Sequence, residues 1–570
     1  MNQNIETPWY KYYDGIRAHL DYPDISIYRM LKESADKHPN HISYEYYGTK
    51  RTYGQFLKEI EQCAKAFKAL GIEEKEKVSI CMPNTPEAVI AFYAINRIGA
   101  VANMIHPLSA ENEIKHYLNI SQSRYIISID ITLSKLENIF KETPLKQIIV
   151  VSSGDSMPFF MKAAYRMTKG RKNTRPSGKE FISWKEFVKQ GEQAQLVTED
   201  KGKGQDVAAI LYSGGTTGYP KGIELTNLNF NALAMQGVEA CACLQEKDKV
   251  LAIMPVFHGF GLGICIHTVQ YFGGTSILLP QFSAKTFHKL LKKYKPNIIA
   301  GVPTLYEALL KNEHLEGYDL SFLKCVISGG DSLSVELKKK IDSFLKEHGA
   351  GIQVREGYGL TECVTGSCLT PINYYREGSI GIPYPDTYYK IVKPNTQVSL
   401  PYGEEGEIVL SGPTVMKGYL NDEKETEMTL RKHEDGRVWL HTGDLGYMDE
   451  DGFVYFKQRL KRLIMSSGYC LYPQYIENVI DSYPDVLMSC VIGIEHPYKM
   501  QVAKAFIVLK NGKKPTEEML SSIKAHCEKN LAKYSLPYEY EFREELPKTL
   551  VGKIAYNELI KEEKAKHEKQ

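Results

Sequence analysis

The segment Leu211–Gly222 reads LYSGGTTGYPKG and contains four glycines, one serine, two threonines and one lysine. So many glycines are typical of neither a helix nor a strand, because glycine destabilises both. The apolar run Val207–Leu211 predicts a strand that ends where the glycines begin. Backbone N–H groups of such a loop can converge on an anion, with hydroxyls and Lys221 as further donors. The segment therefore indicates a phosphate-binding loop, with a flexible surface loop as the alternative.

This loop differs from the common phosphate-binding motif GxxxxGK[ST]. Pro220 precedes Lys221, and Gly222 follows it. The next residues, Ile223–Leu225, do not have the pattern of a helix start. The sequence therefore argues against the fold in which a phosphate loop leads directly into a helix.

The composition is that of a globular protein with balanced charge. The 570 residues include 71 basic and 69 acidic side chains, which gives a net charge of +2 and argues against a nucleic-acid partner. The 11 cysteines have no zinc-binding spacing, so we expect mostly buried, reduced thiols. No secretion signal is recognisable, and no apolar run reaches the roughly 18 residues of a membrane span. We expect a cytoplasmic protein.

Strand-like apolar runs alternate with helical patterns over about the first 350 residues. Examples are the strand-like runs at Lys249–Pro255, Thr275–Pro280 and Asn297–Val302, each followed by a helical pattern. This alternation predicts an α/β fold with parallel-type sheets layered with helices. Ligands of such sheets bind beyond the carboxyl ends of the strands.

The pattern changes twice in the second half of the chain. From about residue 380, short strands separated by Gly, Pro and Asn predict a β-rich subdomain. After Arg459, one helix, two strands and a long helix predict a separate α+β unit. The predicted domains are therefore 1–458, with the β-rich subdomain at about 380–458, and 459–570.

Four further motifs follow the glycine loop. They are REGYGLTE at 355–362, HTGDLGYMDEDG at 441–452, QRLKRLIMSSGYCLYP at 458–473 and PKTLVGK at 547–553. Together with YSGGTTGYPKG at 212–222, they resemble the ordered motifs of the acyl-adenylate-forming (AMP-binding) superfamily, over nearly the whole chain. The resemblance implies a large N-terminal domain and a small, mobile C-terminal domain with a hinge near Lys461. It also implies activation of an acid with ATP and Mg²⁺, followed by transfer to coenzyme A.

The resemblance assigns residues to each part of ATP. The glycine loop would hold the β- and γ-phosphates, through Ser213, Gly214, Gly215, Thr216, Thr217, Gly218 and Lys221. The base would be bound by Tyr358, which would stack on adenine, and by Gly329, Gly330 and Asp331, with Glu356, Gly357, Gly359 and Thr361 as further nucleotide contacts. Asp444 and Arg459 would hold the ribose. Glu362 and the Ser213 hydroxyl would bind Mg²⁺, which prefers oxygen ligands.

The resemblance makes Lys553 the main candidate for the first chemical step. It would bridge the substrate carboxylate and the α-phosphate of ATP, with Lys221 and Glu362 as the other candidate catalytic residues. In the second step, the C-terminal domain would rotate about Lys461, and Gly468 and Tyr469 would border the coenzyme A channel. Gln458 departs from the usual Asp or Gly, and Cys470 from a usual polar residue, which leaves the detailed geometry of the hinge loop open.

The acid pocket is expected around Met254–Gly263, an apolar stretch without an acidic residue, and the helix after it. Phe257, His258, Gly259 and Gly301 are its candidate substrate contacts, although His258 can equally be a packed core histidine. The leading segment 7–40 and GSIGIPYPDT at 378–387 resemble long-chain fatty acyl-CoA synthetases. A long-chain fatty acid is the predicted substrate. A medium-chain or aryl acid–CoA ligase, or a fatty acyl-AMP ligase that loads a carrier protein, stays an alternative.

The segment 157–172 mixes large apolar residues with five bases and has no acid. It predicts either an insertion packed on the protein or a basic amphipathic helix that contacts an anionic membrane surface. The sequence allows an oligomer without specifying one.

Overall fold

The computed structural model describes residues 5–567 except 168–177, 195, 197, 214–219, 463, 467–468, 472, 497–498, 532–534 and 550–551. Of the cysteines described, ten are free thiols, and all of these except Cys243 are buried. Among the helices within these ranges, none has both the length and the apolar character needed to cross a bilayer.

The strands fall into four sheets. In chain order they are β1 (Ile42–Tyr46), β2 (Thr49–Thr52), β3 (Lys77–Cys81), β4 (Val101–Met104), β5 (Tyr125–Ile129), β6 (Gln147–Val151), β7 (Phe181–Ser183), β8 (Val207–Ser213), β9 (Lys221–Thr226), β10 (Lys249–Ala252), β11 (Thr275–Leu278), β12 (Ile298–Gly301), β13 (Cys325–Gly329), β14 (Val354–Tyr358), β15 (Cys368–Leu369), β16 (Ile382–Pro383), β17 (Tyr388–Val392), β18 (Gly406–Ser411), β19 (Gly418–Tyr419), β20 (Leu430–Lys432), β21 (Val438–Met448), β22 (Val454–Arg459), β23 (Ile464–Ser466), β24 (Tyr469–Leu471), β25 (Val486–His496), β26 (Met500–Leu509) and β27 (Glu539–Arg543).

Helices connect and cover these strands. The α-helices are α1 (Ile27–Lys37), α2 (Tyr53–Ala69), α3 (Pro86–Arg97), α4 (Glu111–Ser121), α5 (Leu133–Ile139), α6 (Phe159–Met167), α7 (Trp184–Gln193), α8 (Asn227–Cys241), α9 (Val269–Tyr271), α10 (Phe287–Tyr294), α11 (Pro303–Leu310), α12 (Val335–Glu347), α13 (Glu423–Thr429), α14 (Pro473–Asp481), α15 (Glu517–Asn530) and α16 (Tyr556–His567). A stretch of π-helix, Phe260–Thr268, precedes α9. Short 3₁₀ turns lie at Pro8–Tyr12, Asp130–Thr132, Phe140–Glu142, Ala284–Thr286, Glu313–Leu315, Thr361–Cys363 and Leu460–Arg462.

An eight-stranded sheet carries the glycine loop at one end. Its order is β19-β9-β8-β4-β3-β5-β6-β7, and the strands from β8 to β7 run parallel. β8 and β9 are antiparallel, with Ser213 opposite Lys221. The glycine loop therefore joins two hairpin strands, and the prediction that no helix begins directly after Gly222 is confirmed.

A nine-stranded sheet has the order β16-β15-β14-β13-β12-β10-β11-β1-β2. The six strands from β14 to β1 are parallel, whereas the edge strands β2, β15 and β16 are antiparallel. The predicted α/β class is confirmed. Both large sheets are nevertheless mixed, because antiparallel strands are added at their edges.

One continuous apolar core joins the two large sheets. It contains buried residues of both sheets together with side chains of α2, α3, α8 and the π-helix. The start of α8 is fixed by a capping box: Thr226 Oγ1 accepts from Asn229 N, and Asn229 Oδ1 accepts from Thr226 N. Its end is marked by Ala242, which has a left-handed backbone with φ of 53°.

Two smaller sheets follow. β17, β18, β21, β20 and β22 form the predicted β-rich part, and Asp444 of β21 lies opposite Arg459 of β22. β24, β23, β26, β25 and β27 form a second five-stranded sheet, accompanied by α14, α15 and α16. The domain boundary at 458/459 and the hinge near Lys461 stay predictions.

Candidate active site

The carboxyl ends of three parallel strands meet at one edge of the nine-stranded sheet. Gly301 ends β12, Gly329 ends β13, and Tyr358 ends β14, with Gly329 opposite Gly357 in register. A Cβ on Gly329 would lie 2.9 Å from the carbonyl oxygen of Gly357, so the two strands leave no room for a side chain there. This strand edge is the place where an α/β sheet presents its ligand site.

Lys553 lies at this edge although it comes from the far end of the chain. A Cβ on Gly330 would be 3.5 Å from Lys553 Cε and 3.8 Å from Phe260 Cδ1. Two neighbours of Lys553 are held by residues that follow β12 and β13: Thr304 Oγ1 donates to the Gly552 carbonyl at 2.9 Å, and Ile554 N donates to Asp331 Oδ2 at 3.3 Å. The backbone on both sides of Lys553 is therefore positioned independently of its ammonium group.

Lys553 is surrounded by both acidic and basic side chains. Burial lowers the pKa of Lys553, Asp331 opposes that shift, and Arg459 adds to it. Asp444 and Glu362 also raise the pKa of this ammonium group. The structure thus brings five of the predicted site residues into one electrostatic cluster.

Asp444 is the most deeply buried acid of this cluster, with 2% exposure. Its Oδ2 accepts a hydrogen bond from Tyr358 Oη at 2.7 Å. Arg459 Nε lies 3.4 Å from Oδ1, yet no hydrogen bond from the described residues reaches this buried oxygen. Burial raises the pKa of Asp444, and Arg459 and the Tyr358 hydroxyl counteract that rise. Among the described residues, Oδ1 is therefore an acceptor without a hydrogen-bond donor.

Glu362 follows β14 in the 3₁₀ turn Thr361–Cys363 and lies beside the hairpin that carries the glycine loop. Its Oε1 accepts from Tyr419 Oη at 3.0 Å, and its carbonyl accepts from Met416 N at 2.8 Å. Tyr419 pairs with Ile223 of β9. A carboxylate oxygen next to the predicted phosphate-binding loop is a suitable Mg²⁺ ligand.

Lys221 begins β9, directly after the loop. Its Nζ forms an ion pair with Glu425 of α13 and lies 5.2 Å from the centre of the Tyr419 ring. The predicted contacts Gly214, Gly215, Thr216, Thr217, Gly218 and Gly468 lie outside the described residues, as do the side chains of Ser213, Lys461 and Tyr469. Their roles stay predictions.

Glu356, in β14, has a buried side chain. The charged groups that influence its carboxyl are Lys338 and Asp342 of α12, and burial raises its pKa to about 8. The neighbouring Arg355 points to the opposite face, where it donates to the carbonyls of Ala240 and Cys241. The predicted nucleotide contact of Glu356 stays a prediction.

Gly359 allows the chain to turn sharply into the Glu362 segment. A Cβ at this position would overlap the carbonyl oxygen of Thr365. Thr361, in the same turn, is buried. The glycine is therefore required by close backbone packing.

Substituting Gly359 by alanine is expected to lower the free energy of unfolding by about 1–3 kcal/mol, because the backbone must move to admit the methyl group. The matched control is Gly351→Ala, since a Cβ there has no atom within 4 Å. Urea unfolding of both variants measures the difference. Equal stability of the two variants would contradict a packing requirement for glycine at position 359.

The loop before the π-helix reaches the same region. Burial, together with nearby Lys553, lowers the pKa of His258 to about 3, so its ring stays neutral. His258 Nδ1 accepts from Phe260 N at 3.2 Å. The Phe257 ring packs on His106 with centroids 4.1 Å apart, and a Cβ on Gly259 would lie 2.5 Å from Thr365 Oγ1.

An apolar cavity leads away from Gly330, the neighbour of Lys553, along one face of the nine-stranded sheet. It is called the acyl cavity below, after the acid pocket that the sequence predicts. Its walls come from β10, β12, β13 and β14, from α8 and from the π-helix. The lining residues are Leu233, Gly237, Cys241, Leu244, Val250, Phe260, Ile264, Thr268, Val269, Phe272, Ile298, Ala300, Ile327, Gly329, Gly330, Gly357, Tyr358, Thr365, Gly366, Cys368 and Tyr384. Phe257, His258, Gly259 and Gly301, the predicted substrate contacts, are not in this lining, and their contacts with substrate stay predictions.

Three positioning residues carry no recognisable sequence signal. Tyr419 holds Glu362, and Thr304 holds Gly552. The Asn84 amide donates to the carbonyls of Ala252 and Met254 and accepts from Val256 N, which fixes the loop that leads to His258. Each partner is distant along the chain, so no local pattern connects the two.

Comparison with known proteins places the chain in a family. Residues 31–420 match the AMP-binding enzyme family, and residues 475–553 match the AMP-binding enzyme C-terminal domain. The chain belongs to the AMP-binding enzyme family, and the resemblance stated from its motifs is confirmed.

Individual relatives narrow the comparison. The chain is 35% identical to a long-chain-fatty-acid–CoA ligase of Bacillus subtilis (strain 168), over 99% of each chain. A crystal structure of an anthranilate CoA ligase in complex with anthranoyl-AMP is similar over 96% of this chain and 99% of that one, with TM-score 0.84 and 26% identity. A Mycobacterium tuberculosis fatty acyl CoA synthetase is similar over 95% and 99%, with TM-score 0.68 and 26% identity.

Proposed function

We propose that this protein is an ATP-dependent long-chain fatty acid–CoA ligase. The observation that carries the proposal is the apolar acyl cavity whose mouth lies beside Lys553 and Gly330. A fatty acid fits this arrangement, because its chain would be buried in the cavity while its carboxylate would face the ammonium group. The Bacillus subtilis relative, named for the same reaction, supports the assignment.

Asp444 fits the ribose of ATP. Its buried Oδ1 lacks a hydrogen-bond donor among the described residues, and a ribose hydroxyl would supply one. Tyr358, whose hydroxyl is held by Asp444, would stack on adenine next to Gly329, Gly330 and Asp331. The glycine loop, with Ser213 and Lys221 at its ends, would bind the β- and γ-phosphates.

The residues also fit a divalent cation. Glu362 would hold Mg²⁺ through a carboxylate oxygen, with the Ser213 hydroxyl as the second proposed ligand. When bound, Mg²⁺ would neutralise phosphate charge during the reaction. The Tyr419 hydrogen bond would fix the orientation of the Glu362 carboxylate.

The proposed first step needs no protein nucleophile. A carboxylate oxygen of the fatty acid attacks the α-phosphorus of ATP, and the bond to the β-phosphate breaks to release pyrophosphate. Lys553 stabilises the charge that develops between the two anionic reactants. In the second step the thiol of coenzyme A loses its proton and attacks the acyl carbon, and AMP leaves. Rotation about Lys461, with Gly468 and Tyr469 bordering the thiol channel, is part of the proposal.

A series of fatty acids of increasing chain length tests this function. The protein is incubated with ATP, Mg²⁺, coenzyme A and saturated fatty acids from butanoate to octadecanoate, with benzoate as an aryl competitor. The expected products are AMP, pyrophosphate and acyl-CoA, with the highest kcat/KM for a long chain. Preference for benzoate would instead support an aryl acid–CoA ligase. Acyl-AMP that accumulates in the presence of coenzyme A would support transfer to a carrier protein.

We also propose that the α6 segment contacts an anionic membrane surface, the source of a fatty acid substrate. Phe160 and Met167 of α6 are 85% and 70% exposed. From Ser156 to Lys179 the sequence contains bases but no acidic residue. An exposed apolar face with basic neighbours is typical of a helix that lies on a membrane.

Replacing Phe160 and Met167 together by serine is expected to weaken binding to phosphatidylglycerol vesicles by about tenfold or more, because two large apolar side chains no longer enter the interface. Vesicle co-sedimentation measures the partition. The control is Ile131→Ser, which removes an apolar side chain exposed elsewhere on the surface. Equal binding of the double variant and the control would contradict the membrane contact.

A further inference from the structure

Gly237 lies in the last turns of α8, a helix of 15 residues. Glycine is among the least favourable residues inside a helix, since it gives up more backbone freedom on folding than alanine does. α8 is otherwise well formed, with a capping box at Thr226. Helix propensity therefore does not explain a glycine at this position. The packing around Gly237 does explain it.

The position of Gly237 is part of a regular stripe. Leu233, Gly237 and Cys241 are spaced by four residues, so they share one face of α8, and all three line the acyl cavity. Opposite them, Phe260, Ile264 and Thr268 of the π-helix line the same cavity. Gly237 is the one position of the α8 stripe where no side chain enters the space between the two helices.

The space above Gly237 is open. A Cβ built on this residue has Thr268 Cγ2 at 3.9 Å as its one neighbour within 4 Å, counting the described atoms outside its own turns of α8. A larger side chain would therefore project across the cavity toward Thr268. By contrast, a Cβ on Gly263 would lie 2.7 Å from Leu233 Cδ2, so that glycine is required by helix contact.

We propose that Gly237 sets the length of acyl chain that the enzyme accepts, by leaving the acyl cavity open beyond its first half. The inference rests on the proposed function. It adds a residue that determines chain-length specificity, and this residue lies outside the motifs that bind the nucleotide.

The position along the cavity gives the expected cut-off. Phe260 lies at the Lys553 end, beside Gly330. The nine residues of the π-helix from Phe260 to Thr268 rise about 10–12 Å, at slightly less than 1.5 Å per residue. Carbons of an extended chain advance by about 1.3 Å each, since bonds of about 1.5 Å meet at about 111°. Chains of up to about eight carbons therefore end before Gly237, and longer chains must pass it.

The test compares Gly237→Ala and Gly237→Leu with the unaltered protein. The readout is the ratio of kcat/KM for palmitate to kcat/KM for hexanoate. For Gly237→Leu we expect this ratio to fall by about tenfold or more, because a hydrophobic pocket distinguishes chain lengths by such factors. Gly237→Ala is expected to lower it less, and the kcat/KM for hexanoate is expected to be retained in both variants.

Gly351→Leu is the matched control, because a Cβ at Gly351 has open space around it and the residue is not part of the cavity lining. An unchanged ratio in both Gly237 variants, or an equal loss for palmitate and hexanoate, would overturn the inference. If Gly237→Leu does not fold by circular dichroism, the ratio in Gly237→Ala decides. A wild-type protein that forms no acyl-CoA from any acid would overturn the proposed function itself, a result distinct from an unchanged ratio.

Discussion

Replacement of Lys553 by alanine is expected to lower the rate of acyl-adenylate formation by about 10²–10³-fold, the usual cost of removing one preorganised charge-stabilising group. The affinity for ATP should change little, since Asp444, Tyr358 and the glycine loop stay in place. The surrounding loop should also keep its position. Its two anchors, Thr304 to Gly552 and Asp331 to Ile554, use backbone atoms that the substitution leaves intact.

Pyrophosphate release in a single turnover measures this step. Lys561→Ala is the control, because Lys561 is an exposed lysine on the nearby helix α16. Supplying synthetic acyl-adenylate provides a second control, since thioester formation from it should not need Lys553. An unchanged rate of pyrophosphate release in Lys553→Ala would remove this lysine from the first step.

Replacement of Asp444 by alanine is expected to lower kcat/KM for ATP by about 10²–10³-fold. A site built to hydrogen-bond a hydroxyl group binds its substrate much more weakly when that hydrogen bond is removed. The physical reason is the buried Oδ1, which has no donor among the described residues until a ribose hydroxyl arrives. The substitution also leaves Tyr358 Oη without its acceptor. Binding of the nucleotide, rather than folding, should be the main property affected.

Deoxynucleotides make this prediction specific. The unaltered protein should use 2′-deoxy-ATP or 3′-deoxy-ATP much more slowly than ATP, whereas Asp444→Ala should discriminate far less between them, as expected for two groups that contact each other. Glu434→Ala, which removes an exposed acid from the same β-rich part, should behave as the unaltered protein. Full discrimination by Asp444→Ala would place the ribose elsewhere.

The strands, helices and loops that can be predicted from the sequence are those with a pattern of apolar residues or glycines within a short segment. The run 249–255 is predicted as a strand and contains β10, and the helical pattern predicted after the run 275–280 is α10. The glycine loop was predicted to follow a strand without leading into a helix, and it joins β8 and β9. These features depend on the spacing of apolar residues and on the position of glycines within about ten residues. They can therefore be predicted from local sequence alone.

The cavity wall could be predicted only in part. The acid pocket is expected around Met254–Gly263 and the helix after it, and Phe260, Ile264 and Thr268 do line the acyl cavity. The apolar, glycine-rich run Phe260–Thr268 has no amphipathic period, so nothing in it indicates a π-helix. The opposite wall comes from α8, which precedes this run by some twenty residues and joins it only through tertiary packing. Within α8, Gly237 is the sequence feature that indicates a special packing role for this face of the helix.

The contacts that position the charged groups could not be predicted at all. Tyr419 and Glu362, or Thr304 and Gly552, meet because two sheets and a terminal segment pack together. The resemblance to known motifs selected Glu362, Asp444 and Lys553, while their supporting partners have no motif of their own. Physical chemistry specifies what such a partner must do, but the fold determines which residue does it.

The most direct test of the proposed mechanism follows one oxygen atom. The protein is given ATP, Mg²⁺, coenzyme A and palmitate labelled with ¹⁸O in its carboxylate, and the nucleotide product is analysed by mass spectrometry. Attack of the carboxylate on the α-phosphorus, followed by thioester formation, leaves one ¹⁸O in AMP, because the acyl carbon–oxygen bond is the one that breaks. Unlabelled AMP, or ADP together with ¹⁸O in inorganic phosphate, would contradict the mechanism.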